Sequence, residues 1–182
     1  MTAAQHTLVA LVGNKPGVLT RMVSLFRRRG FNIESINVGT SELAHLSRMT
    51  IVVGGAAAMV EQVRKQLDKV VDVVKVSDIT GEDVVARELA LIKVKATAST
   101  RNEIMQLVDI FRANIVDVAA GSVTVEVTGD EDKIDSLFNL LRGFGVKEMN
   151  RTGRIAMTRG SARVVAVEEK LPKSRSKKRE QS

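Results

Sequence analysis

The sequence predicts an α+β protein made of two tandem copies of one β-α-β-β-α-β unit. Apolar residues switch between the two-residue period of strands and the 3.6-residue period of helices in the same order twice. Glycine-containing turns punctuate many of those switches. The 182 residues accommodate two such units of about 75 residues each and leave a tail.

In the first copy, residues 7–12 read as a strand that is apolar on both faces except at Thr7. Gly13-Asn14-Lys15-Pro16-Gly17 breaks it, and Val18, Leu19, Met22, Leu25 and Phe26 then recur at helical spacing. Gly30 stands where a left-handed C-cap is expected. Residues 32–40 alternate Ile36 and Val38 with Ser35 and Asn37, residues 41–46 form a polar connection, and Met49, Ile51 and Val53 mark a third strand. Val60, Val63 and Leu67 stripe a second helix, and residues 71–76 close the unit as a fourth strand.

The order then recurs after a polar connection at residues 79–86. Residues 89–96 are a strand, and Ile104, Leu107, Val108 and Phe111 a helix stripe. Residues 115–119 and 122–128 form a hairpin, Ile134, Leu137, Phe138 and Leu141 another helix, and residues 146–151 a last strand. Both units therefore read as ferredoxin-like, each a sheet with helices on one face. Burial on both sides of residues 8–12 predicts that sheets or their edges pair between chains, giving a homodimer.

Composition removes several classes of function. The absence of cysteine excludes disulfides, thiolate metal sites, iron–sulfur clusters and a cysteine nucleophile. No phosphate-loop or dinucleotide signature occurs, and His6 and His45 have no acid at a recognisable catalytic spacing, so surface roles are expected for them. No apolar run reaches membrane length and no basic leader precedes an apolar stretch, which predicts a cytoplasmic protein without membrane contact. Aromatic residues are only 3% of the chain, and the central strands carry Val, Ile, Met and Thr, which argues against a nucleic-acid partner. The net charge of +7 is concentrated at the end: residues 159–182 hold eight basic and three acidic residues, leaving +2 for everything before them. The tail at 161–182 reads as a basic, disordered extension.

The first strand-helix turn is the candidate site. A helix starting near Pro16 has unpaired N–H groups at its positive dipole end, and Gly17 lets a ligand approach its own N–H and that of Val18. A carboxylate suits that place, with Asn14 able to meet an amino or carboxylate group. The turn also reads as an ordinary connection in which Asn14 caps the helix. In the second copy Thr100 and Glu103 match a capping box, so only the first copy is expected to leave its donors free. Asn32 reads as a turn residue or as a second polar contact. It falls at the opposite end of the sheet from the turn, within reach only of a neighbouring subunit's turn.

Residues 6–80 resemble an ACT domain, the amino-acid-sensing βαββαβ module. The runs Gly30-Phe31-Asn32-Ile33-Glu34-Ser35, Leu46-Ser47-Arg48-Met49-Thr50-Ile51 and Val70-Val71-Asp72-Val73 resemble the small, regulatory subunits of acetohydroxyacid synthase (acetolactate synthase). Arg87-Glu88-Leu89 and the run from Phe111 to Val118 agree with it. The resemblance implies an ACT domain at 1–79, a linker at 80–86 and a C-terminal ferredoxin-like domain at 87–160. It implies valine as feedback inhibitor between two ACT domains, held by Asn14, Gly17, Val18 and Leu19 of one chain and Asn32 and Ile33 of the other. It further implies a non-catalytic chain that activates a catalytic subunit, with thiamine diphosphate, Mg²⁺ and FAD on that partner and no cofactor here. Another ACT-type amino-acid sensor, or a basic RNA-binding protein, is the alternative.

Overall fold

The computed structural model describes residues 4–160; the basic tail at 161–182 lies outside the described residues. The first unit comprises β1 (Gln5–Gly13), α1 (Val18–Arg28), β2 (Ile33–Thr40), β3 (Leu46–Gly54), α2 (Ala57–Leu67) and β4 (Val73–Asp78). The second comprises β5 (Val84–Lys95), α3 (Arg101–Ile110), β6 (Asn114–Ala119), β7 (Ser122–Gly129), α4 (Glu131–Leu141) and β8 (Val146–Arg151), followed by β9 (Ile155–Thr158). Strand orders are β2-β3-β1-β4 and β6-β7-β5-β8, with every neighbouring pair antiparallel. Both units are ferredoxin-like, as the element order predicts.

Alternation along β1 divides its side chains between two cores. Leu8, Ala10 and Val12 meet Val18, Met22, Leu25 and Phe26 of α1 and Val60, Val63 and Leu67 of α2. On the other face Val9 packs with Ile79 and Ala156, and Leu11 with Leu43 and Leu46. Both faces of β1 are therefore buried inside one chain. The two-sided apolarity, which suggested pairing between chains, has an intramolecular cause: β9 and the β4–β5 connection cover Val9, and Leu43 of the β2–β3 connection covers Leu11 with Leu46.

The end of α1 is a Schellman motif around Gly30, whose φ is +70°. Gly30 N–H donates to the Arg27 carbonyl and Phe31 N–H to that of Phe26, both at 3.1 Å. The Phe26 and Phe31 rings then meet edge to face with centroids 6.5 Å apart, the apolar contact that accompanies this motif. This turn fixes where β2 begins.

Three local expectations need correction. The polar connection at 79–86 ends at Asp83, because residues 84–87 extend β5 and pair with β9. The β9 strand itself has no counterpart in the sequence reading; its four residues between Gly153 and Gly160 are too few to show a period. The fourth strand starts at Val73 instead of residue 71: Val71 is 90% exposed.

Candidate functional site

The β1–α1 turn is held by two neighbouring segments and by its own backbone. Gly13 N–H donates to the Asp72 carbonyl at 2.7 Å, Asn14 N–H to the His45 carbonyl at 2.9 Å and Lys15 N–H to the Gly13 carbonyl at 2.9 Å. Gly17 is the N-cap residue of α1, with φ +84° and ψ −9°, a conformation that favours glycine. No side chain caps the helix and its first turn contains no acid, so the alternative in which Asn14 serves as cap is not realised. Val18 is buried beneath the turn, whereas Leu19, at 45% exposure, stands at its surface. The start of α1 thus presents donors and a positive dipole end with no internal carboxylate to answer them.

Charged residues that sequence reasoning missed surround this turn. Asp72, whose side chain is only 11% exposed, takes Arg21 Nη2 at 2.9 Å and Lys15 Nζ at 3.7 Å. Two cations share one carboxylate there, which leaves room beside the helix start for a second negative group. The signal was present in the topology: β4 runs antiparallel beside β1, so the residue before β4 lies at the end of β1.

Asn32 and Ile33 lie elsewhere. Ile33 is opposite Val53, which is opposite His6, whereas Gly13 is opposite Leu46. His6 and Gly13 are seven residues apart on one strand, roughly 23 Å. One chain therefore groups Asn14, Gly17, Val18 and Leu19 and holds Asn32 and Ile33 at the far end of the sheet. Two clefts between the domains, of about 350 and 280 Å³, are lined by none of these six residues.

The contrast drawn between the repeats takes another form. Thr100 does not cap α3: its Oγ1 accepts from Thr97 N–H at 3.0 Å, while the Thr97 carbonyl receives the N–H groups of Thr100 and Arg101 at 3.3 and 3.0 Å. A hydroxyl turn folded back on Thr97 has displaced the capping box, because Thr100 is already helical in φ and ψ. What separates the two helix starts is the left-handed Gly17 and the absence of an acid in the first turn of α1, against Glu103 in α3.

His6 also departs from its expected surface role. It is buried, and its Nδ1 lies 3.1 Å from Asp78 Oδ2. Burial raises the Asp78 pKa, but hydrogen bonds from the Thr80 hydroxyl and N–H and from His6 outweigh it and hold the carboxyl below its ordinary value. His45 is exposed, and its backbone carbonyl serves the turn. Among the described residues no group of three or more His, Asp or Glu side chains is placed to hold a metal ion, and no helix is long and apolar enough to cross a membrane.

Two joined ferredoxin-like units, the first with an open helix start, are the architecture of a two-domain protein of the ACT type. Residues 8–75 match the family model described as "AHAS small subunit-like ACT domain", and residues 87–160 that described as "Small subunit of acetolactate synthase". The probable acetolactate synthase small subunit of Archaeoglobus fulgidus is 57% identical over 157 residues, covering 86% of this chain and 98% of that one. The acetolactate synthase small subunit of Mycobacterium bovis is 47% identical, covering 88% and 95%. The crystal structure of the Thermotoga maritima acetolactate synthase small subunit superposes with a TM-score of 0.81 at 45% identity, covering 87% of this chain and 99% of that one. The chain belongs to the acetolactate synthase small-subunit family and is a regulatory, non-catalytic subunit.

Proposed function

We propose that this chain senses valine and sets the activity of a catalytic acetolactate synthase subunit in branched-chain amino acid synthesis. The valine carboxylate sits at the N–H groups of Gly17 and Val18, with Asn14 and Leu19 beside it. Asn32 and Ile33 of a second copy complete the site in a homodimer. The observation that carries this reading is the uncapped, left-handed glycine start of α1, flanked by Arg21 and Lys15 and free of acids in its first turn. The roughly 23 Å between the two residue groups within one chain supports a site shared by two chains. Thiamine diphosphate, Mg²⁺ and FAD belong, on this reading, to the catalytic subunit in the cytoplasm.

Valine shifts the assembly only by its differential affinity for the activating and inhibiting arrangements, a coupling of about 1–3 kcal/mol. Reconstitution with the catalytic subunit tests this. Acetolactate formation should rise when the chain is added without valine and fall as valine is titrated, with leucine and isoleucine run as parallel arms. An assembly that responds to none of the three refutes the sensing role; one that responds to leucine or isoleucine alone moves the specificity.

A further inference from the structure

The two domains meet through a polar contact centred on one residue that the effector reading does not use. Arg154, in the β8–β9 connection, donates its backbone N–H to Ser35 Oγ at 3.2 Å and Nη1 to Thr7 Oγ1 at 3.2 Å. Its Nη2 donates to Glu131 Oε2, at the start of α4, at 2.6 Å. Arg154 thus holds β2 through its backbone, and through its side chain ties β1 of the ACT domain to α4 of the C-terminal domain.

The approach is close enough to need a special backbone. Gly153 has φ +78°, and a Cβ there would lie 2.8 Å from Ser35 Oγ. Beside the contact lies the cleft of about 350 Å³, lined by Glu34, Ser35, Glu88, Glu131, Arg151 and Arg154 among others. The apolar contact of Val9, Ile79 and Ala156 is small. An interface of this kind, one small apolar cluster beside a polar contact and a void, permits relative domain movement.

Ser35 also occupies a telling place on β2. The register between β2 and β3 shifts between Ile33 and Ser35, so a bulge separates the proposed effector contact from the residue that holds Arg154. Bulges re-aim side chains locally and concentrate near functional sites. We propose that Arg154 is the latch through which the state of the effector-binding end of β2 reaches the C-terminal domain, because it bonds Ser35 just past the bulge and Glu131 at the start of α4. Seating an amino acid at Asn32 and Ile33 re-sets the bulge, moves Ser35 and so moves Arg154 and α4. For its effector, this inference rests on the valine-sensing reading.

Two measurements on the full chain test it, using Arg154→Ala, Arg154→Lys and Ser35→Ala; the last removes one hydroxyl with little risk to folding. In the reconstituted enzyme, Arg154→Ala and Ser35→Ala should weaken valine inhibition by about fivefold or more. Isothermal titration of each variant alone should still show parental valine affinity. Arg154→Lys should inhibit like Arg154→Ala, since an ammonium cannot span Thr7 and Glu131 as a guanidinium fork does. Calorimetry without valine should show one transition for the parent and two for Arg154→Ala, as the domains unlatch. Parental inhibition by Arg154→Ala overturns the latch, as does loss of valine binding in Ser35→Ala, which would put Ser35 in the effector site itself. Should the parent bind no valine, the sensing reading falls and calorimetry alone decides the latch: a single parental transition in Arg154→Ala overturns it.

Discussion

Replacing Gly17 with aspartate separates what the turn does for the fold from what it does for the ligand. A side chain in the left-handed region costs about 1–2 kcal/mol, and aspartate is among the residues that tolerate it best. No clash adds to that cost, since a Cβ at Gly17 meets only Arg21 Nη2, at 3.8 Å. The new carboxylate beside the helix start and Arg21 returns about 0.3–1 kcal/mol. The net loss is about 1 kcal/mol, a fall in Tm of about 2–4 °C for a protein of this size. The same carboxylate stands where the ligand's must go. Hydrogen bonds to a charged group are worth about 1.5–3 kcal/mol each, so affinity for valine should drop at least tenfold. Scanning calorimetry and isothermal titration of the same preparation read both effects, with Gly17→Ala as the control that adds strain without charge. Parental valine affinity in Gly17→Asp refutes the site, and a Tm loss beyond about 10 °C refutes the strain argument.

Three further outcomes follow from the same geometry. Arg151 holds the buried Glu88 carboxylate through Nε and Nη2 at 3.0 and 2.6 Å, so Arg151→Met strands a buried charge and should cost about 3 kcal/mol in urea unfolding, with Glu88→Gln recovering part of it. Asp130 caps α4 by accepting from Lys133 N–H at 2.9 Å, and Asp130→Ala should cost about 1 kcal/mol by the same assay. Because the Asp78 pKa is depressed in the folded state, its contribution is present above its unfolded value near 3.8 and is lost as pH falls through the folded one. Thr80→Val removes the hydroxyl that lowers it, so acid unfolding followed by circular dichroism should begin at higher pH; an unmoved midpoint contradicts the assignment.

The two ferredoxin-like units were legible because side-chain period marks each of their elements in order. Leu8 to Val12, the Val18–Met22–Leu25 stripe and the Val123–Val125–Val127 alternation each match one element, and Gly30 marks the α1 end. The missed pieces depend on contacts distant in sequence. The β9 strand exists because residues 84–87 offer it an edge, and the second face of β1 is buried at Val9 by Ile79 and by Ala156 of β9, and at Leu11 by Leu43 and Leu46. Thr100 and Glu103 satisfied a pattern, yet Thr97 competed for the hydroxyl and won. At the candidate site, Asn14, Gly17, Val18 and Leu19 could be placed together by adjacency. Asp72 and Arg21 come together only through the placing of β4 beside β1, which the topology carries and residue spacing alone does not.

The most direct test of valine sensing is a crystal structure of the chain grown with saturating valine. The account predicts a homodimer with a ligand carboxylate within hydrogen-bond distance of the Gly17 and Val18 amides of one protomer, its other end against Asn32 of the second. Density for valine elsewhere, with every β1–α1 turn empty, would contradict it.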